Sequence, residues 1–302
     1  MKITKLILAA YLLMSMAACD TDKNIAVYGE DSGAIQIEAA INTAFTRSNP
    51  GAAGDQQKQF NEGDEIQLSC EDGYLNYVLA GGKWVPTDNY YLRWGAEPVT
   101  YSAFYPVVSG ASTTNFTLPT NQQRLENLAK ADYMTCTVAV SYTHLRAHET
   151  KANATDDGSR ILRLGMNRKM AKVIMTLADV GGQGKVQGVK IGSYQGYTNG
   201  EVVSGTSLIS PFITVPEGGK AGQNGCTYTA IVAPGKAGTT DTFVSLNYLG
   251  EDLVLPGIPE LKPAKCYEFT LKVEGSIITI SEPIVSPWDS GTLPGGDAEE
   301  LQ

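Results

Sequence analysis

The chain has 302 residues, a formal net charge of −9 at pH 7, 32 glycines and 14 prolines. The acidic balance argues against nucleic acid and anionic membrane surfaces as partners, because both are themselves negatively charged. The many glycine, threonine, valine and tyrosine residues favour an all-β fold with frequent turns, and the length fits two domains of about 100–150 residues each.

The first 18 residues have the organisation of a secretory signal peptide. Lys2 and Lys5 precede an apolar run, residues 6–14, which is too short to span a bilayer. The run closes on Met16-Ala17-Ala18-Cys19, which resembles a bacterial lipobox. We therefore predict that Cys19 is the lipidated N-terminus of the mature protein and that its acyl chains anchor it in the outer membrane.

Residues 19–33 are predicted to form a flexible tether, since residues 20–24 are polar and acidic without an apolar period. Acidic residues directly after the lipidated cysteine resemble the surface-export signal of Bacteroidales lipoproteins. The resemblance predicts a cell-surface location.

Short strands separated by glycine-rich turns predict two β-sandwich domains, over residues 34–140 and 161–288, followed by an acidic tail at 289–302. Residues 34–45 form the first strand and are followed by a loop. A glycine hairpin turn at Ala80-Gly81-Gly82, a short helix within residues 121–130 and a central strand at 172–177 are further expectations. Residues 208–215 and 276–285 are each predicted to form one continuous strand.

Residues 141–160 match neither flank and contain both histidines of the chain, His144 and His148. Their i, i+4 spacing could place two imidazoles on one helix face, but no further ligand completes a metal site. The peptide resembles a translated sequencing adapter, so we interpret this segment as a linker or a foreign insert. We expect no metal.

A cluster of cations, which includes Arg163, Arg168 and Lys172, is interpreted as the solvated side of a strand. Trp84, Trp94 and Trp288 are interpreted as core residues.

Four cysteines remain after Cys19 in an exported, oxidising setting. Alternation predicts that Cys70, Cys136 and Cys226 point inward, and that Cys266 lies opposite the apolar face of its strand. Scattered spacing favours buried thiols over a disulfide framework, and both states stay open.

No phosphate-binding loop, zinc-protease motif or serine nucleophile motif is present in the sequence. We therefore predict that the protein is not an enzyme and holds no cofactor. A carboxylate pair for glycoside hydrolysis would be invisible in sequence, so a glycosidase or peptidase stays a third hypothesis.

The order and spacing of several short motifs resemble the fimbrillin family of Bacteroidales, the pilins and pilin-like lipoproteins of type V pili. The matching pieces, in addition to the lipobox, are Thr46-Arg47, Phe60-x-x-Gly63-Asp64-x-Ile66, Trp94, Tyr101-Ser102-Ala103-Phe104-Tyr105-Pro106, Ala131-Asp132-Tyr133-Met134, Arg168-Lys169-Met170-Ala171-Lys172-Val173, Cys266-Tyr267-x-Phe269-x-Leu271-x-Val273 and Pro287-Trp288.

The resemblance implies two transthyretin-like sandwiches and no catalysis. It also implies that an arginine-specific protease removes the first strand, and that an extended strand from another pilin subunit refills the groove. Arg47, in the loop after the first strand, is the position that corresponds to the cut.

The strand that this chain would donate is less clearly marked, because the tail after Trp288 does not alternate. The best donor candidate carries Ile277, Ile278, Ile280, Ile284 and Trp288, which the second sandwich also needs. A shaft subunit and a tip or accessory subunit therefore both stay open. The alternative from another class is a non-polymerising surface lipoprotein that binds a glycan on a host or bacterial surface.

Overall fold

A computed structural model describes residues 26–29, 34–41, 59–71, 73–93, 98–140, 161–180 and 185–288. These residues form an all-β fold with one short helix, as predicted. The strands of the first half are β1 (Ala26–Tyr28), β2 (Gln36–Ile41), β3 (Glu65–Cys70), β4 (Gly73–Ala80), β5 (Lys83–Pro86), β6 (Tyr90–Leu92), β7 (Val99–Tyr105), β8 (Phe116–Thr117), β9 (Met134–Val140) and β10 (Ile161–Arg168). Helix α1 (Leu125–Ala129) lies between β8 and β9.

The second half continues with twelve strands. They are β11 (Ala171–Val180), β12 (Val186–Tyr194), β13 (Gly196–Thr198), β14 (Glu201–Val202), β15 (Thr206–Ile209), β16 (Phe212–Thr214), β17 (Thr227–Val232), β18 (Gly238–Tyr248), β19 (Glu251–Ile258), β20 (Lys265–Glu274), β21 (Ile277–Ile280) and β22 (Ile284–Pro287).

The first unit is a closed barrel rather than the two separate sheets of a sandwich. Its strands follow the order β10-β2-β5-β4-β3-β7-β9, and β10 pairs with β9 to complete the ring. The hairpin of β4 and β5 turns at Gly81 and Gly82, which both have positive φ, so the predicted glycine turn is confirmed. The barrel encloses one apolar core.

The second unit has the predicted sandwich form. One sheet has the order β16-β17-β11-β20-β21, with β22 also paired to β20, and the other has the order β15-β12-β18-β19. Inward side chains of both sheets share one core, in which Phe243 and Phe269 meet edge to face with centroids 5.4 Å apart. The transthyretin-like detail stays a prediction.

Strand β10 belongs to the barrel, although residues 161–288 were assigned to the second sandwich. It pairs with β2 and β9, and Leu162, Leu164 and Met166 are buried in the barrel core. Every second side chain of β10 thus points into the barrel. In chain order, the first strand of the second unit's sheets is β11. Residues 26–28, within the predicted tether, form β1 and pair with β6. The other domain limits stay predictions.

The two units share an aromatic junction. Phe116 and Tyr133 stack with centroids 4.7 Å apart, and the Tyr197 hydroxyl donates a hydrogen bond to the Lys169 carbonyl at 2.6 Å. A small sheet of β14, β13 and β8 pairs a strand that follows β12 with one from the first half of the chain. The core of the second unit thus extends into the first half of the chain.

Candidate functional site

The candidate site is the groove of the barrel that β2 fills. Along one side β2 runs parallel to β10, with Gln36 opposite Ile161 and Ile41 opposite Met166. On the other side it meets β5 in a single pair, Ile37 with Trp84. Parallel pairing is non-local by nature, so β2 reaches its place only after the chain has returned to form β10.

The two faces of β2 differ sharply in burial. Ile35, Ile37 and Ile41 are buried in the barrel core, and Ala39 packs against the same core while half-buried. Strand periodicity turns the intervening side chains to the outer surface. The expectation that the first strand covers the first domain is therefore confirmed for residues 35–41.

One outward residue of β2 is held by an ion pair. Glu38 lies opposite Arg163 of β10 in the parallel ladder, and Arg163 Nε lies 2.9 Å from Glu38 Oε2. Both side chains remain partly exposed, so the pair contributes little stability, on the order of 1 kcal/mol or less. Glu38 faces Arg163 only in the register that the ladder has here.

The C-terminal end of β2 closes over a small cavity, which is lined by Ile41, Gln59, Phe60, Asp64, Tyr105, Ala129, Asp132 and Met134. The Tyr105 hydroxyl donates to Asp64 Oδ1 at 3.1 Å, and the Asn61 amide donates to Asp64 Oδ2 at 2.7 Å. Burial raises the pKa of the Asp64 carboxyl above its ordinary value, while these two hydrogen bonds oppose the rise.

Asp132 lies in the same cavity wall and forms a buried ion pair with Arg168. The Arg168 Nε donates to both carboxylate oxygens of Asp132, at 2.9 and 3.2 Å. Burial raises the pKa of the Asp132 carboxyl, and the Arg168 guanidinium opposes that rise. Arg168 is fully buried, so its assignment to the solvated side of a strand was wrong.

The donor candidates lie in the second sandwich's own sheet. Ile277, Ile278 and Ile280 are in β21, Ile284 is in β22, and both strands pair with β20. The continuous strand predicted there is instead broken at residues 281–283, which include Pro283. The donor role stays a prediction.

Trp288 ends the described chain in a buried position. Its amide donates to the Ala264 carbonyl at 3.0 Å, and the Arg168 guanidinium carbon lies 4.3 Å from the centre of its ring. Trp84 is also buried, so the core assignment of both tryptophans is confirmed.

The four cysteines in the described residues are free thiols. Cys136 and Cys226 are buried, as predicted, and Cys70 is half-buried. Cys266 is buried although it lies opposite Tyr267 on its strand, so this end of β20 is covered on both faces. Burial raises the pKa of the Cys266 thiol to about 11, which keeps it protonated and unreactive.

A second feature lies where β1 pairs with β6. Tyr28 is opposite Tyr90, and their rings meet edge to face with centroids 5.5 Å apart. Both rings are exposed, by 68% and 45%. Together they form an open aromatic corner.

Several predicted positions lie outside the described residues: Cys19, Arg47, Trp94, His144 and His148. Within the described ranges, no group of three or more histidine, cysteine, aspartate or glutamate side chains is arranged to hold a metal ion. No helix in these ranges is long and apolar enough to cross a membrane.

The chain belongs to the fimbrillin-like family, whose model matches residues 22–288. This membership defines a pilin-like, structural protein rather than an enzyme. A comparison with curated proteins found no match.

Two solved structures share the fold at low sequence identity, and a third is less similar. A putative cell adhesion protein from Bacteroides ovatus is 16% identical over 86% of this chain and 99% of its own, with a TM-score of 0.55. A second putative cell adhesion protein, from Bacteroides uniformis, is 15% identical over 86% and 99%, with a TM-score of 0.52. The tip fimbrial protein Mfa3 from Porphyromonas gingivalis is 10% identical over 76% and 95%, with a TM-score of 0.42.

Proposed function

We propose that this protein is a lipid-anchored pilin, or a pilus tip or accessory subunit, that acts at the cell surface in assembly and adhesion. Cys19 carries the acyl chains that hold the uncut protein on the outer membrane until cleavage after Arg47 releases it. Its partners are other pilin subunits and a host or bacterial surface ligand. The observation that carries the proposal is the pairing of β2, a strand that lies ahead of Arg47 in the chain and fills the barrel groove.

Assembly proceeds by strand addition after an arginine-specific protease cuts after Arg47. Loss of β2 would open the barrel between β10 and β5 and leave an apolar groove with unpaired backbone groups along β10. An extended strand of a neighbouring subunit restores both the hydrogen bonds and the apolar contacts. The join is long-lived because a barrel core is rebuilt in the process.

The position of the candidate donor segment, residues 277–288, favours a subunit that only accepts a strand over a shaft subunit, which must also donate one. Donation of residues 277–288 would remove β21 and β22 from their sheet and would take Trp288 out of the core. A tip or accessory subunit, which accepts a strand without donating one from this segment, avoids that loss.

Electron microscopy tests this function on the lipidated protein after treatment with an arginine-specific protease, alone and with a companion pilin from the same genome. We expect filaments or capped filament ends with the native chain and none with an Arg47→Ala variant. Filament incorporation that is unchanged in Arg47→Ala would contradict the proposed processing.

A non-polymerising glycan-binding lipoprotein is the second candidate, and the Tyr28–Tyr90 corner favours it. Two exposed rings at 73° to one another could hold the apolar face of a sugar ring. A glycan array separates the candidates: a specific signal that is lost in Tyr90→Ala and kept in Tyr74→Ala, without filaments, supports the binder. Tyr74 is a matched control because its ring is exposed on another strand.

A further inference from the structure

The inward side chains of β2 give the groove a direction. From Ile35 to Ile41 the inward positions are large, large, small and large, because Ala39 occupies the third. A peptide of the same composition that runs the opposite way would place the alanine beside Trp84, where Ile37 now lies. The order of pockets therefore distinguishes a parallel strand from an antiparallel one.

An outward contact gives the groove a register. Arg163 lies opposite Glu38, between the second and third inward positions, and its guanidinium contacts that carboxylate at 2.9 Å. A slip of two residues keeps the apolar side chains inside but brings Gln36 or Ala40 opposite Arg163 instead. The ion pair therefore adds to the order of pockets in selecting this register.

We propose that Arg163 is a specificity-determining residue for the strand that this groove accepts. The accepted strand runs parallel to β10, has large apolar residues at its first, second and fourth inward positions, and carries an acidic residue opposite Arg163. Strand β2 stands in for this partner, which is an extended segment of another subunit. The inference rests on the proposed function and deepens it by naming the chemistry of the incoming strand.

The test uses the full chain with a specific protease site introduced within residues 46–55, so that it does not depend on cleavage at Arg47. The cut protein is incubated with an excess of labelled peptide, and binding is followed by fluorescence anisotropy. Three peptides are compared: a copy of residues 34–43, the copy with Ile37→Ala and Ala39→Ile exchanged, and the copy with Glu38→Lys.

We expect the copy to bind at least about tenfold more tightly than the exchanged peptide, because the isoleucine pocket beside Trp84 is then underfilled and the alanine position is overfilled. The Glu38→Lys peptide should bind about two- to fivefold more weakly than the copy. In an Arg163→Glu protein this charge preference should invert, and in Arg163→Ala it should disappear. The alanine variant keeps the test valid if the charge reversal prevents folding.

Equal binding of the copy and the exchanged peptide, or a charge preference that does not respond to either Arg163 variant, would overturn this inference and leave strand addition standing. A cut protein that has released β2 and stays folded by circular dichroism, yet takes up no peptide, would overturn the strand-addition proposal as well.

Discussion

The guanidinium of Arg168 lies between the Asp132 carboxylate and the ring of Trp288, with its central carbon 4.3 Å from the ring centre. Arg168 ends the last strand of the barrel, whereas Trp288 follows the last strand of the sandwich. One buried cation therefore ties the end of the described chain to the junction between the units.

Replacement of Trp288 tests this tie. Trp288→Ala should lower the free energy of unfolding by about 3–5 kcal/mol, because it empties a core site and uncovers Arg168. Ile284→Ala, in the neighbouring strand and 71% exposed, is the matched control and should change stability by less than about 0.5 kcal/mol. Urea unfolding measures both; similar small effects would show that Trp288 does not anchor the segment.

The Arg168–Asp132 pair should be far more sensitive to loss of one partner than of both. Arg168→Met leaves a buried carboxylate without its partner and should cost about 3–5 kcal/mol of unfolding free energy. The double variant Arg168→Met, Asp132→Leu should recover part of that loss, since no unpaired charge then remains. A double variant as unstable as the sum of the single variants would refute this coupling.

The titration of Asp64 should contribute to the pH dependence of the unfolding free energy. Its pKa is raised by burial in the folded protein, so the folded state holds the proton more tightly than the unfolded chain. Its contribution to stability is therefore greatest below its ordinary pKa of 3.8 and is lost as the pH rises through the raised value.

Asp64→Asn removes this titration. The unfolding free energy of the variant should rise relative to that of the native protein as the pH increases from about 4 to 7. Asp132 also titrates nearby, but it is common to both proteins and largely cancels in the difference. If the difference in unfolding free energy between the two proteins stays constant with pH, the titration of Asp64 does not contribute to the pH dependence of stability.

Replacement of an inward residue of β2 should lower the unfolding free energy far more than replacement of an outward residue. Ile37→Ala should lower the unfolding free energy by about 2–5 kcal/mol, because Ile37 is buried beside Trp84. Gln36→Ala, one position earlier and exposed, should have an effect below about 0.5 kcal/mol. If the two variants unfold alike, β2 does not cover the barrel as described.

Local patterns predicted many of the elements well. The β4–β5 hairpin, the short helix and the central strand β11 follow from a glycine turn, helix propensity and a run of apolar residues. Residues 208–215 were predicted as one strand, but they divide into β15 and β16 in different sheets. Pro211 lies at the break, where it cannot donate a ladder hydrogen bond.

Long-range pairing could not be predicted from such patterns. Strand β10 was assigned to the wrong unit because apolar alternation does not identify a strand's neighbours. Arg168 was assigned to the surface by its charge, although it shares its parity along β10 with Leu162, Leu164 and Met166. The alternation that places Arg168 on the buried face of β10, together with the acidic Asp132 in another family motif, could have predicted the buried ion pair.

The N-terminal mass of the subunit recovered from assembled fimbriae tests most directly whether β2 is removed during assembly. We predict a chain that begins at Ser48 and lacks both the acyl groups and β2. Recovery of subunits that still begin at lipidated Cys19 would contradict it.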